Sequence, residues 1–171
     1  SKSKHCRGVL SRSENGTPLD ASSDPPFLLR RRCMARILLI DDEKVARAIY
    51  SDYLTGAGHH VQAVGTIADA KKALADAAFD AVVTDLILPG GDGMEILQYT
   101  KDHYPGVEVI LITGLDKVDP AVRAIKSGAA EYLVKPVPPE TLFHAVSRAL
   151  TTRALLRQNE ELRSYVSLLE T

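Results

Sequence analysis

From Arg36 onward the chain alternates short apolar runs with stretches in which Ala, Leu, Ile and Val recur every three or four residues. The runs predict strands near 36–40, 60–64, 80–84, 107–112 and 130–134. The stretches at 43–57, 66–78, 92–103 and 117–127 carry the period of amphipathic helices, and a fifth helix starts near Pro139. Ile37-Leu38-Leu39-Ile40 and Val107-Glu108-Val109-Ile110-Leu111-Ile112 are mostly apolar instead of strictly alternating, so both faces of these strands should be covered. Strict strand–helix alternation then predicts an α/β fold: a doubly wound, five-stranded parallel sheet between helices, with its ligand site at the carboxyl ends of the strands.

Residues 1–33 mix Ser, Asp, Asn, Gly, Pro and Arg with neither period. They are expected to be disordered, as an upstream-translated or vector-derived segment with Met34 as the natural start; a genuine basic arm is the alternative. Residues 34–150 form the expected folded domain and 151–171 a linker. At 171 residues, 45% hydrophobic and 25% charged, the chain suits one soluble globular domain with tails.

Charge narrows the function. Residues 1–33 hold seven Lys/Arg against three Asp/Glu, whereas residues 34–171 hold fourteen against nineteen. The folded part is therefore mildly acidic and carries no electrostatic footprint for nucleic acid. Cys6 and Cys33 lie upstream of the pattern without metal-ligand spacing, which suits a reduced, cytoplasmic setting. No apolar run approaches the roughly 20 residues needed to span a bilayer. Arg30-Arg31-Arg32 is no twin-arginine signal, because Asp41, Asp42 and Glu43 interrupt the apolar stretch that follows.

The chemistry collects at the strand ends. Strand one ends in Asp41-Asp42-Glu43, strand three in Asp85, strand four in Thr113-Gly114 and strand five in Lys135-Pro136. Three carboxylates on one rim repel one another, a cost tolerated mainly where a cation or a catalytic need offsets it. A hard divalent ion is implied; Mg²⁺ is usually held by one or two carboxylates, which Asp42 and Asp85 could supply, together with a phosphate oxygen. Asp85 could also attack phosphorus directly, with Thr113 and Lys135 holding the phosphate oxygens. Taken singly, Asp41 or Asp42 could cap a helix, Asp85 and Thr113 could serve turns, and Lys135 could be a surface charge. Their joint placement at successive strand ends outweighs those separate readings.

These residues resemble the response-regulator receiver domains of bacterial two-component systems from Met34 to about Leu150. The matching segments are Ile40-Asp41-Asp42-Glu43, Asp85-Leu86-Ile87-Leu88-Pro89-Gly90-Gly91-Asp92-Gly93-Met94, Thr113-Gly114 and Gly128-Ala129-Ala130-Glu131-Tyr132-Leu133-Val134-Lys135-Pro136. The resemblance implies a flavodoxin-like sheet of strand order 2-1-3-4-5. It makes Asp85 the acceptor of a phosphoryl group from a sensor histidine kinase or phosphotransfer protein. Asp41, Asp42, Asp85 and the Ile87 carbonyl are implied Mg²⁺ ligands, while Thr113 and Lys135 contact the phosphoryl group. It also implies a cis Lys135-Pro136 peptide and a switch in which Tyr132, half-buried on the opposite face of its strand from Lys135, swings inward as Thr113 moves.

From Pro139 to Leu169 there is no Gly or Pro, so the last helix should outrun the domain. Leu155, Asn159, Leu162, Val166 and Leu169 are spaced as the a and d positions of a coiled-coil seam, and Asn and Val at a favour a parallel homodimer. The seam covers only about two and a half heptads. The tail resembles the linkers of sigma-54-dependent transcription activators, which predicts a signalling linker truncated before an effector and an output in transcription regulation; linkers of this kind also precede cyclase and hydrolase outputs. The expected protein is a phosphoacceptor switch that assists its own phosphorylation and dephosphorylation, not an enzyme. Two rivals are an aspartate-nucleophile phosphatase of the haloacid dehalogenase type and a non-phosphorylated dimerisation module. The first wants an acid two residues after its nucleophile, where Ile87 stands; the second leaves the complete acidic cluster unexplained.

Overall fold

The computed structural model describes residues 34–114 and 118–169; the segment 1–33, with the expectations attached to it, lies outside these residues. Five strands form one parallel sheet: β1 (Arg36–Ile40), β2 (His60–Val64), β3 (Ala81–Asp85), β4 (Glu108–Thr113) and β5 (Glu131–Val134). Their order is β2-β1-β3-β4-β5, as the resemblance implies. Helices α1 (Lys44–Gly56), α2 (Ile67–Asp76), α3 (Gly93–His103), α4 (Val118–Lys126) and α5 (Pro139–Leu169) follow the strands in turn. One small element was not anticipated: Ile87–Leu88 pairs antiparallel with Gly91–Asp92. Gly90, at φ +81°, makes the turn between them, a conformation open to glycine without steric cost.

Side chains alternate across a strand, and that period sorts the apolar runs into two cores. Leu38, Ile40, Val82, Val109 and Leu111 pack with Ala70, Leu74, Ile96, Leu97 and Ala124 of α2, α3 and α4. Ile37, Leu39, Val83, Ile110 and Ile112 pack with Tyr50 and Leu54 of α1 and Leu142 and Val146 of α5. A strand covered on both faces has no reason to alternate polar with apolar, which is why β1 and β4 read as nearly continuous hydrophobic runs. Two helix starts are capped locally. Thr66 Oγ1 accepts the Asp69 amide at 3.1 Å for α2, and Asp92 Oδ1 accepts the Glu95 amide at 3.0 Å for α3.

Helix α5 is a single span of 31 residues. Leu142, Ala145, Val146 and Ala149 bury it against the sheet, whereas from Thr151 to Leu169 every side chain except Arg153 is exposed. Among the described residues no helix is long and apolar enough to cross a membrane. Leu142→Ala, at 0% exposure, should cost about 2–5 kcal/mol in urea unfolding through lost burial and the cavity left behind. Leu156→Ala, at 55% exposure, should change stability by no more than about 0.5 kcal/mol. Equal losses would contradict the division of α5 into a packed and a projecting half.

Candidate functional site

Because the five strands run parallel, their carboxyl ends share one rim, and the residues that follow each strand meet there. Asp41 and Asp42 leave the end of β1, Asp85 closes β3, Thr113 closes β4, and Lys135 follows β5. Backbone bonds continue the register into the rim: the Leu86 amide donates to the Ile112 carbonyl at 2.8 Å and the Lys135 amide to the Thr113 carbonyl at 2.7 Å. The Lys135-Pro136 peptide is cis.

Lys135 reaches back across this rim. Its Nζ donates to Asp85 Oδ2 at 2.6 Å and to Asp41 Oδ2 at 2.9 Å. The other oxygen of each acid is held by a backbone amide: Asp85 Oδ1 by Ile87 N–H and Asp41 Oδ1 by Glu43 N–H, both at 2.9 Å. Two buried carboxylates thus have every oxygen engaged, which burial of charge demands. Burial by itself pulls the Lys135 ammonium towards deprotonation, but the hydrogen bonds to Asp41 and Asp85 and their negative charge outweigh it and raise its pKa well above the ordinary value. Lys135 is therefore a cation that offsets part of the charge of the two acids, a role beyond the expected contact with phosphate.

Three ligand oxygens, one from each of Asp41, Asp42 and Asp85, lie within 4.8 Å of one another. Asp41 is buried behind the site, while Asp42 is exposed. A pocket of about 480 Å³ opens over them, lined by Asp42, Asp85, Ile87, Leu88, Pro89, Gly114 and Lys135. An all-oxygen donor set facing an accessible pocket fits a hard divalent cation with room for water and a phosphate oxygen. Ile87 lies at the pocket wall, whereas Thr113 is fully buried and the wall there belongs to Gly114. Tyr132 is half-buried against the core on the α2–α4 side of the sheet and does not line the pocket.

The separate, blander readings fare unevenly. Glu43, not Asp41 or Asp42, occupies the N-cap of α1, without a side-chain capping bond. Asp85 does bond to the amide two residues on, as a turn-forming Asp does, and faces the pocket as well. Two supporting residues escaped the reading of the sequence. Arg47 donates to the Asp41 carbonyl at 2.6 Å, joining α1 to the acidic turn. Gly93 starts α3 so close to Asp85 that any Cβ would collide with the Asp85 carbonyl oxygen. Gly93 stands in the matching segment that begins at Asp85, but the contact that requires a glycine there has no local signature.

A doubly wound parallel sheet whose carboxyl rim gathers three aspartates and a lysine has the build of a receiver domain. Residues 37–147 match the family model described as response regulator receiver domain, and the chain belongs to that family. It is 40% identical over 114 residues to the response regulator protein FleR of Pseudomonas aeruginosa, covering 67% of this chain and 24% of that protein. It is 38% identical over 131 residues to the C4-dicarboxylate transport transcriptional regulatory protein DctD of the same species, covering 75% and 28%. The chain thus spans about a quarter of these relatives' length. Among solved structures, the beryllofluoride-activated NtrC4 receiver domain dimer superposes with a TM-score of 0.67 at 35% identity, covering 69% of this chain and 98% of that one. These relatives include the sigma-54-type activators to which the linker pattern points.

If Lys135 offsets the charge of the two acids, Lys135→Met should lower stability by about 1.5–3 kcal/mol at neutral pH without divalent ions, the range for hydrogen bonds to charged groups. The pH dependence has a definite sign. A group whose folded pKa is raised contributes fully below its unfolded value of about 10.4 and loses that contribution as pH climbs towards the folded value. The difference between wild type and Lys135→Met should therefore stay flat from about pH 7 to 9.5 and shrink above about 10.5. A difference that grows with alkalinity would contradict the assignment.

Proposed function

We propose that this chain is the phosphoacceptor switch of a two-component response regulator, with Asp85 as the residue phosphorylated. The observation that carries this reading is the position of Asp85: it is the acid held by the lysine that also opens on the pocket. A carboxylate oxygen of Asp85 attacks phosphorus of a donor phosphohistidine. The O–P bond forms as the P–N bond breaks, and the electron pair of that bond stays with the imidazole. The nucleophile is already ionised and needs no general base. Lys135 turns from its two acids to the incoming oxygens and offsets their charge.

Asp41, Asp42, Asp85 and the Ile87 carbonyl would hold Mg²⁺, which when bound supplies the hard positive charge that lets a dianionic group approach three carboxylates. Thr113, buried at the end of β4, engages the phosphoryl group as that strand end shifts, and Tyr132 follows by repacking beside it. The donor is a sensor histidine kinase or phosphotransfer protein in the cytoplasm. The output is transcription regulation, in keeping with the names of relatives such as DctD. The chain forms a parallel homodimer through Leu155, Asn159, Leu162, Val166 and Leu169, all exposed on the projecting half of α5. Residues 34–171, with fourteen Lys/Arg against nineteen Asp/Glu, carry no electrostatic footprint for nucleic acid. The phosphatase reading is disfavoured by Ile87, an aliphatic side chain where that chemistry needs a second acid.

Incubation with Mg²⁺ and acetyl phosphate should add one phosphoryl group to the wild-type chain by intact mass. Asp85→Asn, nearly isosteric but without the nucleophilic charge, should add none while keeping a cooperative unfolding transition. Labelling of the folded variant at the wild-type level would remove Asp85 from this role.

A further inference from the structure

The root of the linker helix is fastened at the end of the sheet away from Asp85. Arg153 lies four residues after the buried Ala149 and so continues the face of α5 that packs on the domain. Its guanidinium pairs with Asp80, the residue before β3: Nη1 donates to Asp80 Oδ1, while Oδ2 of the same carboxylate accepts the Arg36 amide at 2.8 Å. One acid thus joins the start of β1, the start of β3 and α5. Arg153 also borders a cavity of about 460 Å³ whose walls include Leu74, Phe79, Tyr104 and Val107, and its buried Nε has no acceptor. Beyond it, residues 154–169 are all exposed, so Arg153 is the last half-buried side chain of α5 among the described residues.

We propose that Arg153 and Asp80 form a clasp that sets where the linker helix leaves the receiver and therefore which way its seam faces. Leu155, the first seam residue, follows two positions later. With 100° per residue, the stripe through Leu142, Val146, Ala149 and Arg153 lies roughly 160° around the helix from the stripe through Leu155, Leu162, Val166 and Leu169. The seam is thereby turned away from its own receiver, and the surface it fits is the same stripe on a second copy. Each receiver sits on the outer side of the helix pair, held there by its own clasp. This orientation rests on the homodimer reading; the clasp itself does not.

Hydrogen exchange by mass spectrometry on the full chain, with sedimentation in parallel, tests both parts. Asp80→Asn keeps an oxygen for the Arg36 amide and removes the charge; Arg153→Ala removes the partner. Both should speed exchange of the amides at 151–156 at least tenfold and leave 139–149 protected. Unchanged exchange at 151–156 in both variants would overturn the clasp. Equal loss of protection at 139–149 would overturn it too, by showing that Asp80 serves the whole fold. For the orientation, spin labels on the two receivers of the wild-type dimer should give a narrow distance distribution that broadens in Asp80→Asn. An unaltered distribution would overturn the outward placement. If every variant sediments as a monomer, the orientation is overturned with the dimer reading, while the exchange result still decides the clasp.

Discussion

The site depends on one ammonium group placed between two buried carboxylates. Asp41 and Asp85 are each almost sealed from water, and an ionised acid in that setting is costly unless it is hydrogen-bonded and matched by charge. Lys135 matches both at once, and the Glu43 and Ile87 amides take the remaining oxygens. The same bonds define what the acids can do. Asp41 faces the interior, Asp42 is exposed without a share of the lysine, and Asp85 is both held and open to the pocket. A small positional difference among three identical groups thus sets the proposed nucleophile, Asp85, apart from its neighbours.

The sheet makes this arrangement possible by confining its polar chemistry to an edge. Helices cover both faces of β1, β3 and β4, whose central residues Ile37–Ile40, Ala81–Val83 and Val109–Ile112 are apolar, so the site's polar groups gather where those runs stop. Parallel strands then bring those last residues together although they are separated by up to 94 positions, as for Asp41 and Lys135. The opposite edge carries a simpler version of the same device. Asp80 there receives both a backbone amide and the guanidinium of Arg153, so β3 is flanked by a paired acid at each end.

Much of this was legible in the chain before its structure, for identifiable reasons. Strands and helices declare themselves through side-chain periods, and the acids stand where apolar runs stop, so the rim could be assembled from local signals alone. Pairings across the fold could not. That Lys135 bonds to Asp41 and Asp85, that Arg47 steadies the Asp41 carbonyl and that Arg153 reaches Asp80 depend on side-chain reach between distant segments. The Gly90 turn was visible as Pro89-Gly90-Gly91, but the short ribbon it closes was not, since two-residue strands carry no period. Thr113 was correctly placed at the end of its strand by sequence, whereas its complete burial is a property of the packing around β4.

Of the three acids, Asp85 is the one proposed to take the phosphoryl group. Acyl phosphates are reduced by borohydride to the alcohol, which converts a phosphorylated aspartate to homoserine and marks it permanently for peptide sequencing by mass spectrometry. After phosphorylation with acetyl phosphate and Mg²⁺, homoserine should appear at position 85 and leave Asp41 and Asp42 intact. Homoserine at 41 or 42, with Asp85 unmodified, would contradict the account.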